Sequence, residues 1–199
     1  VEVPLIQYRT VNPENGLESA TFPTHSDSEV QSAIATAAEV FGRWRDKSFA
    51  ERAMILSRAA KIMRDRVEEF SALITIEMGK LIGESRGETL LSAEILEYYA
   101  NNAASFLAPQ ALPQSDGDAF VVSEPIGVLF GIEPWNFPYY QLARFVAPNL
   151  MAGNTILMKH APSVPQCAEL FASLFVQAGA EVGVYTNLRL TNEQSAAVV

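Results

Sequence analysis

Residues 127–165 read GVLFGIEPWNFPYYQLARFVAPNLMAGNTILMKHAPSVP. Three signals follow one another in this stretch. Residues 127–132 form a short, nearly continuous apolar run, the pattern of a strand buried on both faces. Residues 139–151 carry Leu142, Phe145, Val146, Leu150 and Met151 at close to helical spacing, and Ala152-Gly153-Asn154 stops that helix. Residues 155–158 are a second buried-strand run. The unit is strand, helix, strand, which predicts parallel strands joined by a right-handed crossover.

Open sheets of this kind bind ligands outside the carboxyl ends of their strands. Two proline-bracketed polar segments fall there: Glu133-Pro134-Trp135-Asn136-Phe137-Pro138 after the first strand, and Lys159-His160-Ala161-Pro162-Ser163-Val164-Pro165 after the second. Proline fixes its own φ and restricts its predecessor, so both segments bend stiffly. Each presents one strongly polar side chain, Asn136 and Lys159, where a ligand would lie.

Upstream, residues 1–24 read as an extended arm. A strand over 7–11, a turn cluster over 12–16 and a returning strand over 17–22 predict an edge hairpin. Residues 25–108 read as a helical block. Ser26 with Glu29 and Ser48 with Glu51 are capping boxes. The first opens a helix with the apolar stripe Val30, Ile34, Ala37, Phe41 and Trp44. The second opens a stripe of Leu56, Ala59, Met63, Val67 and Phe70, with further turns over 73–78 ending at Gly79. A third helix is predicted over roughly 84–107, with Leu91, Ile95, Tyr98 and Phe106 inward. Glu68, Glu69 and Glu77 read as a solvated face rather than an acid–base pair.

Residues 109–125 are expected to hold a polar connector over 109–117 and a strand over 119–124. Residues 126–199 hold the parallel core. Its helix over 167–178 has Ala168, Phe171, Leu174 and Phe175 inward and stops at Gly179. A third parallel strand over 183–188 leaves an unpaired edge, and Thr191 can cap a last helix from Asn192. The fold class is α/β: a Rossmann-like parallel sheet with an N-terminal helical block and a small β-hairpin arm.

Apolar residues are 49% and charged residues 19% of the 199, the composition of an ordinary globular chain. A net charge of −9 argues against nucleic acid as partner. No apolar run approaches the ~20 residues of a membrane span, and no charged-then-apolar leader is read at the start. The single cysteine forms no internal disulfide; together these features lead us to expect a cytoplasmic protein.

PWNFP followed by a helix, then AGNT, a strand ending in lysine and A-P-x-x-P, resembles the coenzyme-binding half of the aldehyde dehydrogenase superfamily. The chain is most similar to the bacterial succinate-semialdehyde dehydrogenase branch. The resemblance runs over essentially the whole chain, including Glu77-Met78-Gly79-Lys80 and Glu84-Ser85-Arg86-Gly87-Glu88. It implies an NAD- or NADP-dependent oxidation of a small aldehyde to the acid, a homo-oligomer, and an oligomerisation hairpin containing the strand over 119–124. Asn136 then matches the residue whose amide N–H stabilises charge on the aldehyde oxygen. Its alternative is a turn asparagine bonded to its own backbone. Lys159 matches the residue that hydrogen-bonds the adenosine ribose hydroxyls, the alternative being a lysine snorkelling from a strand end.

By the same resemblance Ile132, Pro134, Trp135, Ala161 and Pro162 line the coenzyme groove, although Trp135 equally suits core packing. Pro162 stands where some relatives have glutamate, which disfavours a 2′-phosphate, and others serine, which accepts one; NAD against NADP stays open. His160 is either a contact to adenine or phosphate or a loop histidine with no role. Arg144, eight residues after Asn136, matches the arginine that pairs with the distal carboxylate of succinate semialdehyde, against a plain surface arginine. Cys167 lies on an amphipathic helix and reads as structural. The resemblance puts the glycine-rich turn, the general-base glutamate and the nucleophilic cysteine beyond residue 199. The alternative to an enzyme is therefore a truncated, inactive fragment that acts at most as a nucleotide-binding or association module.

Overall fold

The computed structural model describes residues 7–113 and 116–198. The two capping boxes form as read. Helix α1 (Asp27–Arg45) and helix α2 (Phe49–Asp65) begin on Ser26 and Ser48, whose hydroxyls accept from Glu29 N and Glu51 N. The glutamates reach back to the serine N–H groups at 2.7 and 2.8 Å. Each cap is worth about 1 kcal/mol. In α1 the fully buried aromatic is Trp44; Val40 takes the core position assigned to Phe41, which is only half-buried.

The stripe drawn from Leu56 to Phe70 belongs to two helices. The chain leaves helical geometry at Arg66 (φ −111°, ψ 26°), and α3 (Val67–Met78) starts there. Met63 and Phe70 remain buried across the break, so their spacing conceals it. Gly79 ends α3 at φ 78°, a conformation that suits glycine.

Helix α4 (Ile82–Phe106) presents the opposite face from the one expected. Leu91, Tyr98 and Phe106 are 43%, 53% and 51% exposed, and Ile95 is half-buried. The inward face is Ser85, Glu88, Thr89, Ser92, Ala93, Leu96, Ala100 and Ala103. Short side chains let α4 lie close against α2, α3 and α5, and the hydroxyls are satisfied there. Ser71 pairs with Thr89 at 3.1 Å and Thr75 with Ser85 at 3.0 Å. A stripe sought among large apolar residues misses a helix that packs through small ones.

The connector expected over 109–117 is corrected in its first part. β3 (Gln110–Leu112) pairs antiparallel with β4 (Ala119–Val121) in the order of a hairpin, Ala111 opposite Phe120. Three residues are too few to show an alternation on their own. Residues 114 and 115 of that connector lie outside the described residues.

The core is a three-stranded parallel sheet in the order β5 (Val128–Glu133), β6 (Thr155–His160), β7 (Tyr185–Asn187). On one face Ile156 and Met158 pack with Val146, Leu150, Phe171 and Phe175, the residues of α5 (Pro138–Ala152) and α6 (Pro165–Gln177). On the other, Leu157 packs with Val30 and Ala37 of α1. Every residue of β6 is buried. β5 was expected to be buried on both faces, yet only Gly131 is fully covered, because among the described residues β5 pairs on one side alone. Gly131 packs closely: a Cβ there would lie 2.7 Å from Met158 Cε and 3.0 Å from the Phe145 ring, so those side chains would have to shift. Helix α7 (Asn192–Val198) is capped by Thr191, which accepts from Gln194 N at 3.1 Å.

The N-terminal hairpin, β1 (Tyr8–Val11) with β2 (Glu18–Phe22), is a separate two-stranded sheet. It clasps the carboxyl end of the core rather than extending its edge. Tyr8 OH donates to Leu190 O, and Arg9 N donates to Pro162 O at 3.1 Å. Among the described residues no helix is long and apolar enough to cross a membrane.

Candidate functional site

The parallel register sets the first part of the site. Ile132 lies beside Lys159 and Glu133 beside His160, so alternation sends the first pair to one face and the second pair to the other. Lys159 is largely buried and its ammonium stands 5.9 Å from the centre of the Tyr8 ring. It has no hydrogen-bonding or ion-pair partner among the described residues. Burial lowers its pKa, since nothing nearby compensates the charge. Ile132 is 58% exposed next to it. A groove of about 400 Å³ at the same end of the sheet is lined by Arg9, Glu77, Trp135, Ala161, Pro162 and Ser163 among others. Trp135 is exposed, so it is not a core residue, and Pro134 before it is exposed as well.

The second part is the turn into α5. Asn136 is exposed, and its side-chain amide makes no hydrogen bond among the described residues, so the self-bonded turn asparagine is not what forms. Its carbonyl accepts from Lys80 Nζ at 3.1 Å. Phe137 offers no side-chain cap to α5, and the start of that helix is satisfied from elsewhere in the chain. Glu88 Oε1 accepts from Tyr139 N at 2.9 Å and Tyr140 N at 3.3 Å, while Glu88 Oε2 pairs with Lys80.

Glu77 serves α6 in the same way. Its two oxygens accept from Gln166 N and Cys167 N, each at 2.9 Å, and Thr10 donates its hydroxyl to Oε1. Burial raises the Glu77 pKa against the pull of these donors. The solvated reading of Glu77 is thus corrected, whereas Glu68 and Glu69 do lie at the surface, paired with Arg86 and Arg66. A signal was available: Phe70, Ile74 and Glu77 share one helical face, as do Ser85, Glu88 and Ser92.

His160 joins the two segments. Its ring is buried; Nε2–H donates to Pro138 O at 2.9 Å, and Nδ1 accepts from Ala161 N at 2.8 Å. Burial pushes its pKa down to about 4. This neutral, fully engaged ring offers nothing to adenine or phosphate; it fixes the spacing between the segments instead.

Arg144 lies exposed on α5 with its guanidinium over the Tyr140 ring, 5.2 Å to the centre, and has no ion pair among the described residues. Tyr140 in turn meets Phe137 edge-on at 5.8 Å. Phe137, Tyr140 and Leu91 line a mainly apolar cup of about 510 Å³, with Lys80, Glu84 and Glu88 at its side. No sequence pattern marks Leu91, Phe137 and Tyr140 as a group, and helical spacing alone places Leu91 in the core, whereas it is 43% exposed. Arg144 reaches the rim of the cup only through Tyr140, and its charge also acts on Glu133 of β5, whose pKa burial raises and Arg144 pulls down. In the chain Trp135 lines the groove, Phe137 lines the cup, and Asn136 sits between them. Cys167 is wholly buried, and burial with Glu77 nearby pushes its thiol well above the usual range. It is inert.

The sequence profile described as the aldehyde dehydrogenase family matches residues 5–198. A succinate-semialdehyde dehydrogenase (NADP(+)) of Deinococcus radiodurans is 46% identical over 183 residues, covering 92% of this chain and 38% of that protein. A probable succinate-semialdehyde dehydrogenase (NADP(+)) of Synechocystis is 40% identical over 179 residues, covering 90% of this chain and 39% of that protein. The crystal structure of a succinic semialdehyde dehydrogenase from Streptococcus pyogenes, in complex with NADP+, superimposes with a TM-score of 0.93 at 36% identity, covering 96% of this chain and 42% of that one. The chain spans about two-fifths of the length of these relatives.

Proposed function

Because the chain belongs to the aldehyde dehydrogenase family, we propose that it forms the coenzyme-holding and oxyanion-holding side of an NAD(P)-dependent oxidation of an aldehyde, with succinate semialdehyde as the substrate. The observation that carries this reading is the exposed side-chain amide of Asn136, unbonded among the described residues and flanked in the chain by Trp135 of the groove and Phe137 of the cup.

The groove suits the adenosine end of the coenzyme. An unpaired ammonium on Lys159 has donors for two ribose hydroxyls, and Ile132, Pro134, Trp135, Ala161 and Pro162 offer apolar surface around it. Pro162 sets no carboxylate against a 2′-phosphate, and the relatives named above carry NADP(+) in their names, so NADP is the favoured form. When bound, the nicotinamide supplies the hydride acceptor. Asn136 would donate its amide N–H to the aldehyde oxygen as negative charge builds there, worth about 3–4 kcal/mol in comparable acyl-transfer sites. The Arg144 guanidinium would fork onto the distal carboxylate, with the cup of Leu91, Phe137 and Tyr140 enclosing the carbon chain.

Cys167 has no access to substrate, so the attacking thiol is assigned to the length of the relatives that this chain does not span. A homo-oligomer is supported by the exposed Tyr98, Phe106, Phe120 and Val122 of α4 and the β3–β4 region, and a cytoplasmic location by the single, unpaired cysteine. The test is coenzyme reduction by the complete protein with succinate semialdehyde. Reduction that is faster with NADP than with NAD is the expected result; no reduction with this or any short aldehyde rejects the proposal.

The buried Cys167 favours a second reading for the 199 residues taken alone: a nucleotide-binding or association module without catalysis. Aldehyde turnover by the 199-residue polypeptide rejects that reading.

A further inference from the structure

Among the described residues the Asn136 side chain has no partner, so its orientation depends on what holds its backbone. Two groups from the helical block hold it on both sides. Lys80, just past the end of α3, donates to the Asn136 carbonyl at 3.1 Å, and its ammonium also sits over the Phe137 ring, 3.7 Å from the centre. Glu88 of α4 receives the first free N–H groups of α5, from Tyr139 and Tyr140. Lys80 and Glu88 are themselves paired, with side chains only 9% and 2% exposed. The ammonium is therefore divided between Glu88 and the Asn136 carbonyl, and the carboxylate between Lys80 and the start of α5. Motion of either member is transmitted to the peptide that carries the Asn136 amide.

We infer that the Lys80–Glu88 pair is a positioning device that aims the Asn136 amide at the aldehyde oxygen. The inference rests on the oxyanion role proposed for Asn136. Neither residue touches the substrate oxygen; they act through Asn136. An oxyanion donor works only if it is held at the place where charge develops, and a misplacement of about 1 Å costs on the order of 10²-fold in rate.

The test uses the complete protein. Removing Lys80 alone leaves a buried carboxylate without its cation, which endangers the fold. The variant to read is therefore Lys80→Met combined with Glu88→Gln. The amide oxygen of the new glutamine still accepts from Tyr139 and Tyr140, no buried charge of the pair is left, and the grip on the Asn136 carbonyl is lost together with the ammonium contact to the Phe137 ring at the side of the cup. Unchanged coenzyme affinity, measured by titration, confirms that the fold is intact. If this double variant does not fold, Lys80→Arg, which keeps the charge but changes the reach, is read by the same criteria.

The expected result is a fall in kcat of about tenfold or more with coenzyme binding unaltered. In an Asn136→Ala background the same replacement is expected to cost less than it does alone, because the group being positioned is gone. A fall below tenfold in the otherwise unaltered protein, or an equal or larger loss in the Asn136→Ala background, overturns the inference. A loss below about tenfold for Asn136→Ala by itself instead removes the oxyanion reading, whatever Lys80 does.

Discussion

His160 carries a pH dependence that its neighbours dictate. Its buried ring is costly to charge, and Nδ1 already accepts from Ala161 N, although the Glu133 carbonyl lies 3.3 Å away. The ordinary histidine pKa is 6.5 and the folded value is about 4. An unfolded chain takes up this proton near 6.5, the folded chain only near 4. Stability from this residue is therefore complete above 6.5 and declines as pH falls toward 4, by roughly 3 kcal/mol in all. Denaturant unfolding at steps between pH 7 and 4 should show the decline, and His160→Asn should flatten it; an equal slope in the variant refutes the assignment. Lys159 predicts the reverse balance. Its buried ammonium has no partner among the described residues, so Lys159→Met should leave the melting temperature unchanged or higher while weakening NADP binding about tenfold or more. Unaltered NADP affinity would remove Lys159 from the groove's function. Arg144→Leu should raise KM for succinate semialdehyde about tenfold or more and leave that for an uncharged aldehyde of equal length unchanged. Equal effects on both substrates contradict the carboxylate role.

Among the elements, α5 and α6 are unusual in how they begin. Both start on proline, neither is capped by its own preceding side chain, and each borrows a buried glutamate from the helical block. Glu77→Ala should cost about 2–3 kcal/mol in denaturant unfolding, because it leaves the N–H groups of Gln166 and Cys167 and the Thr10 hydroxyl without their acceptor. A cost below 1 kcal/mol would mean that water or repacking replaces the carboxylate. The same elements mark what the sequence could tell. Ser26 and Ser48 announce their helices because a capping box is local in sequence. The Glu77 and Glu88 caps reach their partners across 89 and 51 positions, which no local pattern expresses. The spacing of large apolar residues locates α4 but not its inward face, which is largely Ser, Thr and Ala, and the break at Arg66 lies between two buried residues in phase.

For the whole molecule, the parallel sheet and the place of its ligand-facing loops were legible because buried strands, prolines and glycine stops all lie within residues 127–165. Asn136, Lys159, Trp135 and Arg144 were legible as candidates for the same reason. The cup was not, because Leu91 comes from another helix and meets Phe137 and Tyr140 only after folding. Nor was the exposure of β5, which depends on what pairs with it rather than on its own apolar run. β5 and β7 each present one unpaired edge among the described residues, and apolar side chains are exposed on α4 and β4. The 199-residue polypeptide should therefore associate in light scattering; a monodisperse monomer counts against the proposed interface. The account as a whole turns on Asn136. Steady-state oxidation of succinate semialdehyde by the complete protein carrying Asn136→Ala should show kcat reduced about 10²–10³-fold at little cost in coenzyme affinity, and a reduction of less than about tenfold would contradict it.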